Sequence, residues 1–379
     1  MAPATASPAL DVRTSKIAPK VFIIGMFDTE GAVWYGIPEF NLLGRNISMP
    51  GFSPLYPDAH CTLDGSVCQL VTGEGEINAA ITLSALVASP TFDLSRTYFL
   101  IAGIGGINPK VATIGGVTFA RYAVQVGLQF EFDAREIPSD WPTGYLPQGA
   151  ESPDQYATRI YGTEVFELND DLRQLAIRMA QTATLYDDAD AQAYRALFAS
   201  QYPAAGKPPS VVACDTATSD QFWSGGLLAD AMENVTKLFT NGSATYCTTQ
   251  QEDNATLEAL TRGALLGLLD FSRIIVMRTG SNFDRPHAGQ DPTDNLFRPT
   301  SGFVASILNV HLAGVQVVQG ILKDWNSKFA AGIKPSHYVG DILGTLGGTP
   351  DFGPGSVFGG KKANSKRGPS NERRYPRWA

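Results

Sequence analysis

Gly73-Glu74-Gly75-Glu76-Ile77-Asn78-Ala79-Ala80 follows a short apolar run at residues 67–71, and Tyr98-Phe99-Leu100-Ile101-Ala102-Gly103-Ile104-Gly105-Gly106 is a second apolar run that ends in glycine. Ile114-Gly115-Gly116-Val117-Thr118-Phe119-Ala120 begins a third. Short apolar runs are typical of buried strands, and glycine lets a backbone approach a ligand closely. The stretch from Gly73 to Gly116 therefore predicts a ligand pocket built on strand ends, which is the geometry of an enzyme and not of a membrane carrier.

Strand-like and helix-like segments alternate along the chain. The predicted strands cover 21–24, 98–101, 117–132, 210–213 and 273–277, and the predicted helices cover 77–89, 169–184, 190–201, 251–269 and 301–329. Such alternation predicts an α/β fold with a largely parallel or mixed central sheet that is covered by helices on both faces.

Composition divides the chain into three parts. Residues 1–18 are predicted to form a flexible N-terminal arm, and residues 19–343 a single domain. Residues 344–360 are rich in glycine and proline, and the chain from Lys361 onward is strongly basic. We therefore expect residues 344–379 to be a disordered tail.

Charge and hydropathy exclude several classes of protein. The chain has 379 residues and a formal net charge of −8, which gives no reason to expect a nucleic acid as partner. The mean hydropathy is −0.06, and the longest uncharged stretch, residues 299–322, contains Asn309, His311, Gln316 and Gln319. We interpret this stretch as a surface-packed helix and expect no membrane-spanning segment, so a transporter with many spans is excluded.

Neither a metal site nor a cofactor is predicted. The four histidines are scattered without the spacing of metal ligands, and no Cys-x-x-Cys motif occurs. The pair Gly73-x-Gly75 lacks the third glycine of a dinucleotide-binding loop.

The cysteines and the N-terminus leave the compartment open. Cys61 and Cys68 flank an Asp-Gly turn that suits a local disulfide, and Cys214 and Cys247 could pair across the fold, but four reduced core thiols are an equal alternative. Residues 1–20 contain no apolar signal segment, although a signal peptide could have been removed from a longer precursor. The sequons are at Asn46, Asn234, Asn241 and Asn254. They would fit a secreted history.

Six motifs follow one another in an order that is more specific than any one of them. They are Gly25-Met26-Phe27-Asp28-Thr29-Glu30, Gly73-Glu74-Gly75-Glu76-Ile77-Asn78-Ala79-Ala80, Ala102-Gly103-Ile104-Gly105-Gly106, Ser219-Asp220-Gln221-Phe222-Trp223, Gln251-Glu252-Asp253-Asn254-Ala255 and Arg278-Thr279-Gly280-Ser281-Asn282-Phe283-Asp284. This succession resembles the nucleoside phosphorylase and nucleosidase superfamily. Residues 20 to about 340, including Trp34-Tyr35-Gly36-Ile37-Pro38-Glu39-Phe40-Asn41-Leu42-Leu43, more closely resemble the fungal and bacterial purine nucleoside permease family.

The resemblance implies a fold, a ligand and a chemistry. The fold would be the three-layer nucleoside phosphorylase fold, and the ligand a purine nucleoside such as adenosine, inosine or guanosine. The permease family implies nucleoside uptake, whereas the superfamily implies cleavage of the N-glycosidic bond. Members of the superfamily form dimers, trimers or hexamers, so a homo-oligomer is expected by analogy.

The resemblance also implies a nucleoside-binding set. Gly103, Ile104 and Gly105 would form the floor of the pocket. Phe222 and Trp223 match the aromatic position that lines the purine, although both could instead be core aromatics. Glu252 matches the carboxylate that holds the ribose hydroxyls, and Gln251 would lie beside it. The alternative for Glu252 is a helix N-terminal charge.

The last motif contains three further catalytic candidates, two of them for the leaving purine. Asn282 stands where many nucleosidases carry an aspartate near the purine N7, and an asparagine can hydrogen-bond but cannot donate a proton as an acid. Asp284 is a second candidate for the acid, and Arg278 could reach the nucleophile or form a structural ion pair. A simple turn at Ser281-Asn282 is the alternative.

The first loop bears on the choice between water and phosphate as nucleophile. Asp28 and Glu30 stand where nucleosidases carry a glutamate that activates water, and two acids there would repel phosphate. Leu100 and Gly103 stand where the resemblance implies the arginine and serine of hexameric phosphorylases. These residues favour hydrolysis, with Asp28 and Glu30 as the catalytic carboxylates that activate water, while a helix N-terminal residue is the alternative for either. Phosphorolysis, or non-catalytic nucleoside binding in support of transport, are the alternatives.

Overall fold

The computed structural model describes residues 16–298, 301–352, 356–357 and 361–362. The strands of this part of the chain are β1 Val21–Gly25, β2 Arg45–Ser48, β3 Asp58–Cys61, β4 Val67–Val71, β5 Tyr98–Ile107, β6 Val117–Ala120, β7 Tyr122–Gln125, β8 Gln129–Glu131, β9 Tyr145–Pro147, β10 Val165–Glu167, β11 Val211–Ala213, β12 Asp215–Thr218, β13 Tyr246–Gln250, β14 Ile274–Phe283, β15 Gly340–Asp341, β16 Ser356–Val357 and β17 Lys361–Lys362.

The α-helices of the described residues are α1 Asp28–Ala32, α2 Glu76–Ala88, α3 Asp170–Ala180, α4 Ala189–Ala196, α5 Gly226–Phe239, α6 Asp253–Leu265, α7 Pro292–Phe297 and α8 Phe303–Lys323. Two 3-10 turns cover Leu42–Gly44 and Phe271–Arg273, and a π-helical turn covers Trp325–Phe329.

One sheet of thirteen strands forms the centre of the molecule. Its main path runs β15-β10-β7-β12-β13-β5-β1-β4-β3-β2, while β14 pairs with both β5 and β6, and β6 also pairs with β11. The pairs β1–β4, β1–β5 and β5–β14 are parallel, whereas β5–β13 and β6–β14 are antiparallel. The sheet is therefore mixed, as the alternation of strands and helices predicts.

Helices cover both faces of this sheet. Every residue of β1 is buried because alternate side chains enter different cores. Phe22 and Ile24 pack in one cluster with apolar residues of α2 and α6, while Val21 and Ile23 pack in another with α3 and α8. The structure thus confirms a three-layer α/β fold with helices on each side of a mixed sheet.

The longest strands, β5 and β14, differ most from the prediction. We predicted that β5 ends before its glycines, but the strand continues through them to Ile107, and β14 continues past Met277 to Phe283. A Cβ at Gly105 or Gly106 would collide with Thr249 on β13. These glycines therefore allow a neighbouring strand to approach, and they do not terminate β5.

Other boundaries also differ. The predicted long strands at 117–132 are three short strands, and the predicted helix at 251–269 begins at Asp253 and ends at Leu265. The sequence did not predict α5, the edge strand β2 or its neighbour β3. An edge strand and the short strands β12 and β13 have no distinctive local sequence pattern, because their burial depends on distant partners.

The predicted arm and tail lie partly outside the described residues. Ile17, which we assigned to the arm, is buried and pairs with Phe92. Residues 344–352, which we assigned to the disordered tail, are described, and Phe352 packs edge-on against Tyr122. Ile17 and Phe352 therefore pack against the domain, while residues 1–15 and most of 353–379 are outside the described ranges.

Both cysteine pairs form disulfides, Cys61–Cys68 and Cys214–Cys247, which decides between the alternatives that the sequence left open. Asn254, one of the four sequon asparagines, is buried and its amide donates to the Thr163 carbonyl oxygen at 2.7 Å.

Among the described helices, α8 alone is long and apolar enough to cross a membrane, judged by length and composition. Of its most apolar window, 61% is buried inside the protein. Val310 and Val317 pack in the same cluster as Val21 of the central strand. The helix is therefore packed against the core over much of its length, and is more deeply buried than the surface-packed helix that we predicted.

Candidate active site

A cavity of about 250 Å³ opens where β5, β13 and β14 meet the N-termini of α1, α6 and α8. Residues from all six sequence motifs line it. The lining residues are Met26, Phe27, Glu30, Glu74, Ile104, Gly105, Gly106, Ser219, Gln221, Phe222, Trp223, Thr249, Gln250, Gln251, Glu252, Arg278, Ser281, Asn282 and Phe303. The structure thus brings together segments as distant in the sequence as Met26 and Phe303.

The Glu30 carboxylate lies at the bottom of the cavity, where α1 turns it inward. Its Oε2 accepts from the backbone N–H of Met26 at 2.7 Å, and its Oε1 accepts from the N–H of Ile104 at 2.6 Å. Glu30 is only 1% exposed. Burial raises the pKa of Glu30 to about 8, while Arg278 and the two N–H groups oppose this shift. The pKa of Glu30 is thus close to neutral pH, where the carboxyl group can bind or release a proton.

Arg278, on β14, is the positively charged residue among the described residues that line the cavity. Its Nη1 donates to the carbonyl oxygen of Ile104 at 3.0 Å. Its Nη2 donates to Asp253 Oδ1 at 2.6 Å and to Glu252 Oε2 at 3.2 Å. Arg278 is 2% exposed, so this guanidinium is a buried hub that joins the acids around it.

The glycine loop before α2 holds Glu252. The backbone N–H of Gly75 donates to Glu252 Oε1 at 3.0 Å, and Gly75 has a φ of 87°, which favours glycine. Burial raises the pKa of Glu252, while Arg278 and the Gly75 N–H lower it. Gln250 Oε1 accepts from the N–H groups of Glu252 and Asp253 at 2.7 Å and so begins α6. The first glycine motif therefore positions an acid 177 residues away.

A β-bulge aims the last motif at the cavity. The pairing of β14 with β5 shifts between Gly280 and Asn282, so that Ser281 is an extra residue on its strand. The Ser281 hydroxyl donates to Asn282 Oδ1 at 2.7 Å. Both residues line the cavity, where the Asn282 amide offers donor and acceptor groups.

Aromatic side chains form the mouth. Phe222 is 62% exposed although it lines the cavity, and Trp223 packs against the apolar cluster of β7 and α5. Phe303, the first residue of α8, faces the same cavity. Phe222 is thus not a core aromatic, while Trp223 contributes to both the core and the cavity.

Two of the predicted catalytic residues do not line the cavity. Asp28 is exposed at the start of α1, where its carboxylate accepts from the Thr29 N–H at 2.8 Å. Asp284 is buried, and its carboxylate accepts from Arg285 Nε at 2.9 Å and from the Tyr246 hydroxyl at 2.7 Å. Burial raises the pKa of Asp284, and Arg285 opposes the shift. Asp284, the residue after the end of β14, is therefore part of a buried ion pair with Arg285 and does not line the cavity.

The glycine positions also need correction. Gly103 does not line the cavity, and a Cβ there would lie 2.6 Å from Glu30 Oε1 and 2.8 Å from Arg278 Nη1. Leu100 is buried in the core with Val21 and so does not face the nucleophile. Gly115 lies against Pro209 and Ala305, away from the cavity. Only the first two glycine segments contribute to this site.

Sequence reasoning missed Asp253, Gln250, Thr249 and Phe303. An acid directly after Glu252 at the start of a helix is a signal for Asp253. No local pattern signals Thr249 or Phe303, because the sheet order and the packing of α8 bring them to the cavity. Among the described residues, no group of three metal-ligating side chains occurs.

The chain belongs to the purine nucleoside permease family, whose model matches residues 18–334. It is 47% identical over 342 residues to the purine nucleoside permease of Candida albicans, a match that covers 88% of this chain and 83% of that protein. It is 40% identical over 324 residues to a probable purine nucleoside permease of Schizosaccharomyces pombe. That match covers 83% of this chain and 92% of the Schizosaccharomyces pombe protein.

Solved structures resemble the chain more distantly. The 5'-methylthioadenosine/S-adenosylhomocysteine nucleosidase of Neisseria meningitidis, in complex with methylthio-immucillin-A, gives a TM-score of 0.49 at 13% identity over 80% of this chain and 99% of that one. The futalosine hydrolase of Helicobacter pylori gives a TM-score of 0.45 at 14% identity, over 81% of this chain and 98% of that one. At these TM-scores the likeness carries no conclusion about the activity of this chain.

Proposed function

We propose that this protein binds purine nucleosides in the cavity between β5, β13 and β14 and hydrolyses their N-glycosidic bond. The observation that carries the proposal is the buried Glu30 carboxyl, which shares one cavity with Glu252 and Asn282. The family name supports a purine nucleoside as the ligand.

Each cavity residue has a role in the proposed reaction. Glu252 accepts hydrogen bonds from the ribose hydroxyls, and Phe222 and Trp223 contact the faces of the purine. Ionised Glu30 takes a proton from water as the water oxygen bonds to the anomeric carbon. The C1′–N9 bond breaks, its electron pair goes to the purine, and the Asn282 amide hydrogen-bonds to the base as negative charge develops there. The departing purine takes up a proton from solvent and Glu30 returns its proton to solvent, so the products are the free purine and ribose.

The charges of the site favour water over phosphate as the nucleophile. Arg278 is the cation among the described lining residues, and both of its terminal nitrogens already bind protein oxygens. Glu30, Glu74 and Glu252 line the same cavity. A phosphate dianion would therefore enter a site of net negative charge without a free cation to bind it.

The permease family name favours a second candidate, a nucleoside-binding protein that supports uptake without catalysis. Such a protein needs the base and ribose contacts but has no use for a buried carboxyl whose pKa is near neutrality. Phosphorolysis is the remaining alternative.

Product analysis distinguishes these functions. Purified protein is incubated with adenosine, inosine or guanosine in phosphate-free buffer, and the products are separated by chromatography. Free base and ribose without phosphate support hydrolysis. Strict dependence on phosphate, with ribose 1-phosphate as product, contradicts it, and intact nucleoside together with a rise in Tm supports binding alone.

A further inference from the structure

We propose that Asp253 determines the nucleophile, by neutralising the Arg278 guanidinium so that inorganic phosphate cannot bind at the bottom of the cavity. This inference rests on the proposed function. Asp253 does not line the cavity itself, so it acts through Arg278 as a positioning residue.

The contacts of Arg278 carry the first step. Its Nη2 lies 2.6 Å from Asp253 Oδ1 and 3.2 Å from Glu252 Oε2, so Asp253 is the nearer of its two acidic partners. Its Nη1 is occupied by the Ile104 carbonyl oxygen at 3.0 Å. Both acidic partners therefore bind the same terminal nitrogen, and two carboxylates lie against one guanidinium, which opposes the binding of a further anion.

The burial of Asp253 carries the second step. Asp253 is 0% exposed, and its Oδ2 has no hydrogen-bond partner among the described residues. A buried carboxylate with one unsatisfied oxygen is costly unless a cation compensates for it. Arg278 supplies that compensation, and the start of α6 adds the favourable field of a helix N-terminus.

Glu252 and Asp253 both contact Arg278 but have different roles in this proposal. Glu252 keeps its Oε1 on the Gly75 N–H and faces the cavity, where the proposed function assigns it to ribose. Asp253 faces away from the cavity and supplies charge alone. Without the charge of Asp253, the guanidinium would be left with Glu252 as its one ionised partner within 4.0 Å, and its residual positive charge would favour an anion.

Phosphate bound there could act as a nucleophile. Its oxygen would bond to the anomeric carbon, the C1′–N9 bond would break with its electron pair leaving on the purine, and the purine would take up a proton. Ribose 1-phosphate would replace ribose as product, and the reaction would need no reactant other than phosphate and nucleoside.

The test compares wild-type protein with Asp253→Asn, which keeps the size and the acceptor oxygen but removes the charge. Inorganic phosphate is titrated while Tm is recorded, and nucleoside products are analysed at each concentration. We expect phosphate to raise the Tm of Asp253→Asn and to inhibit ribose release competitively or to yield ribose 1-phosphate, and to do neither in wild-type protein. Matched chloride concentrations correct for ionic strength.

Glu258→Gln is the matched control, because it removes one negative charge from the same helix at a residue that pairs with Arg262. Its response to phosphate should equal that of wild type, and Asp253→Glu should restore the wild-type response. If Asp253→Asn does not fold, Asp253→Ser is the second uncharged variant.

Three results would overturn the inference: a folded uncharged variant that is indifferent to phosphate, wild-type protein that binds phosphate in competition with nucleoside, or a Glu258→Gln response equal to that of Asp253→Asn. The Tm readout needs no catalysis. A wild-type protein that cleaves no nucleoside therefore contradicts the proposed function alone, while the phosphate response still decides the role of Asp253.

Discussion

At the scale of single residues, Glu30 is subject to two opposing influences. Two backbone N–H groups and a nearby guanidinium favour its ionised form, while almost complete burial removes the water that would solvate the charge. Burial dominates and raises the pKa of Glu30 to about 8. Near neutral pH the side chain can therefore exchange a proton, which suits a group that takes one from water.

The pH dependence of kcat tests this assignment. A base acts in its ionised form, so kcat should rise with pH until about 8 and then level off, following the Glu30 pKa. Glu30→Gln should lower kcat by about 10²-fold or more and remove this rise. Asp28→Asn is the matched control because Asp28 is exposed, and a flat profile in wild-type protein would contradict the role of Glu30.

The same pKa makes a prediction about stability. In the unfolded chain Glu30 ionises near 4.5, the ordinary pKa of a glutamate, whereas in the folded protein it retains the proton to about 8. As pH rises between these values the unfolded state releases the proton first, so the Glu30 contribution destabilises the fold progressively. Urea unfolding of Glu30→Gln should therefore show a smaller loss of stability from about pH 5 to about pH 9 than wild type, and equal slopes would contradict the burial effect.

Glu252 is the second residue whose role can be measured directly. Glu252→Gln keeps the shape but removes the charge that would bind ribose hydroxyls, and charged hydrogen bonds contribute about 1.5–3 kcal/mol. We expect KM for a nucleoside to rise about 10-fold to 100-fold. A 2′,3′-dideoxynucleoside should bind wild type and variant equally, and a KM that does not change for the normal nucleoside would contradict ribose binding.

At the scale of elements, the glycines of β5 have a different purpose from the one that the sequence suggested. β5 continues through residues 103–106, and its glycines are needed there because β13 and the side chains of Glu30 and Arg278 occupy the space that a Cβ would need. The bulge in β14 then turns Asn282 to the cavity. Close packing of strands, rather than a loop around a ligand, explains these glycines.

Gly103→Ala tests this interpretation. The added methyl would lie 2.6 Å from Glu30 Oε1 and 2.8 Å from Arg278 Nη1, so both side chains must move. We expect kcat to fall about 10-fold or more, because a small misplacement of a catalytic group is costly. Gly226→Ala is the matched control, since a Cβ there meets no atom within 4 Å. Unchanged kcat in folded Gly103→Ala would contradict the crowding.

At the scale of the whole molecule, the sequence predicted the α/β class, the covered mixed sheet and the order of the cavity motifs. The fold class could be predicted because apolar runs and helical spacing are local patterns, whereas the order of the motifs was identified from their resemblance to a known superfamily. Asp284, which the sequence analysis offered as a second acid, follows the end of β14 and pairs with Arg285, a contact that the spacing of the motif does not reveal. Asp253 and Phe303 depend on contacts between distant elements, which no local pattern contains.

The disulfides give a prediction at this scale. Cys214–Cys247 closes a separation of 33 residues and joins the start of β12 to β13, whereas Cys61–Cys68 closes only 7. Because longer loops lose more entropy when closed, Cys214→Ala with Cys247→Ala should lower the free energy of unfolding by about 3–4 kcal/mol. The Cys61→Ala, Cys68→Ala pair should cost less in the same urea titration. A reversed order would contradict the entropic account.

The central claim is that this cavity hydrolyses purine nucleosides with Glu30 as the base. The most direct measurement is the rate of purine release from inosine in phosphate-free buffer, for wild-type protein and for Glu30→Gln at about pH 8, where Glu30 titrates. We predict that wild-type protein releases purine and an equal amount of free ribose, and that Glu30→Gln loses about 10²-fold or more of this rate while still binding inosine. No release by wild-type protein without phosphate, or an undiminished rate in the variant, would contradict the claim.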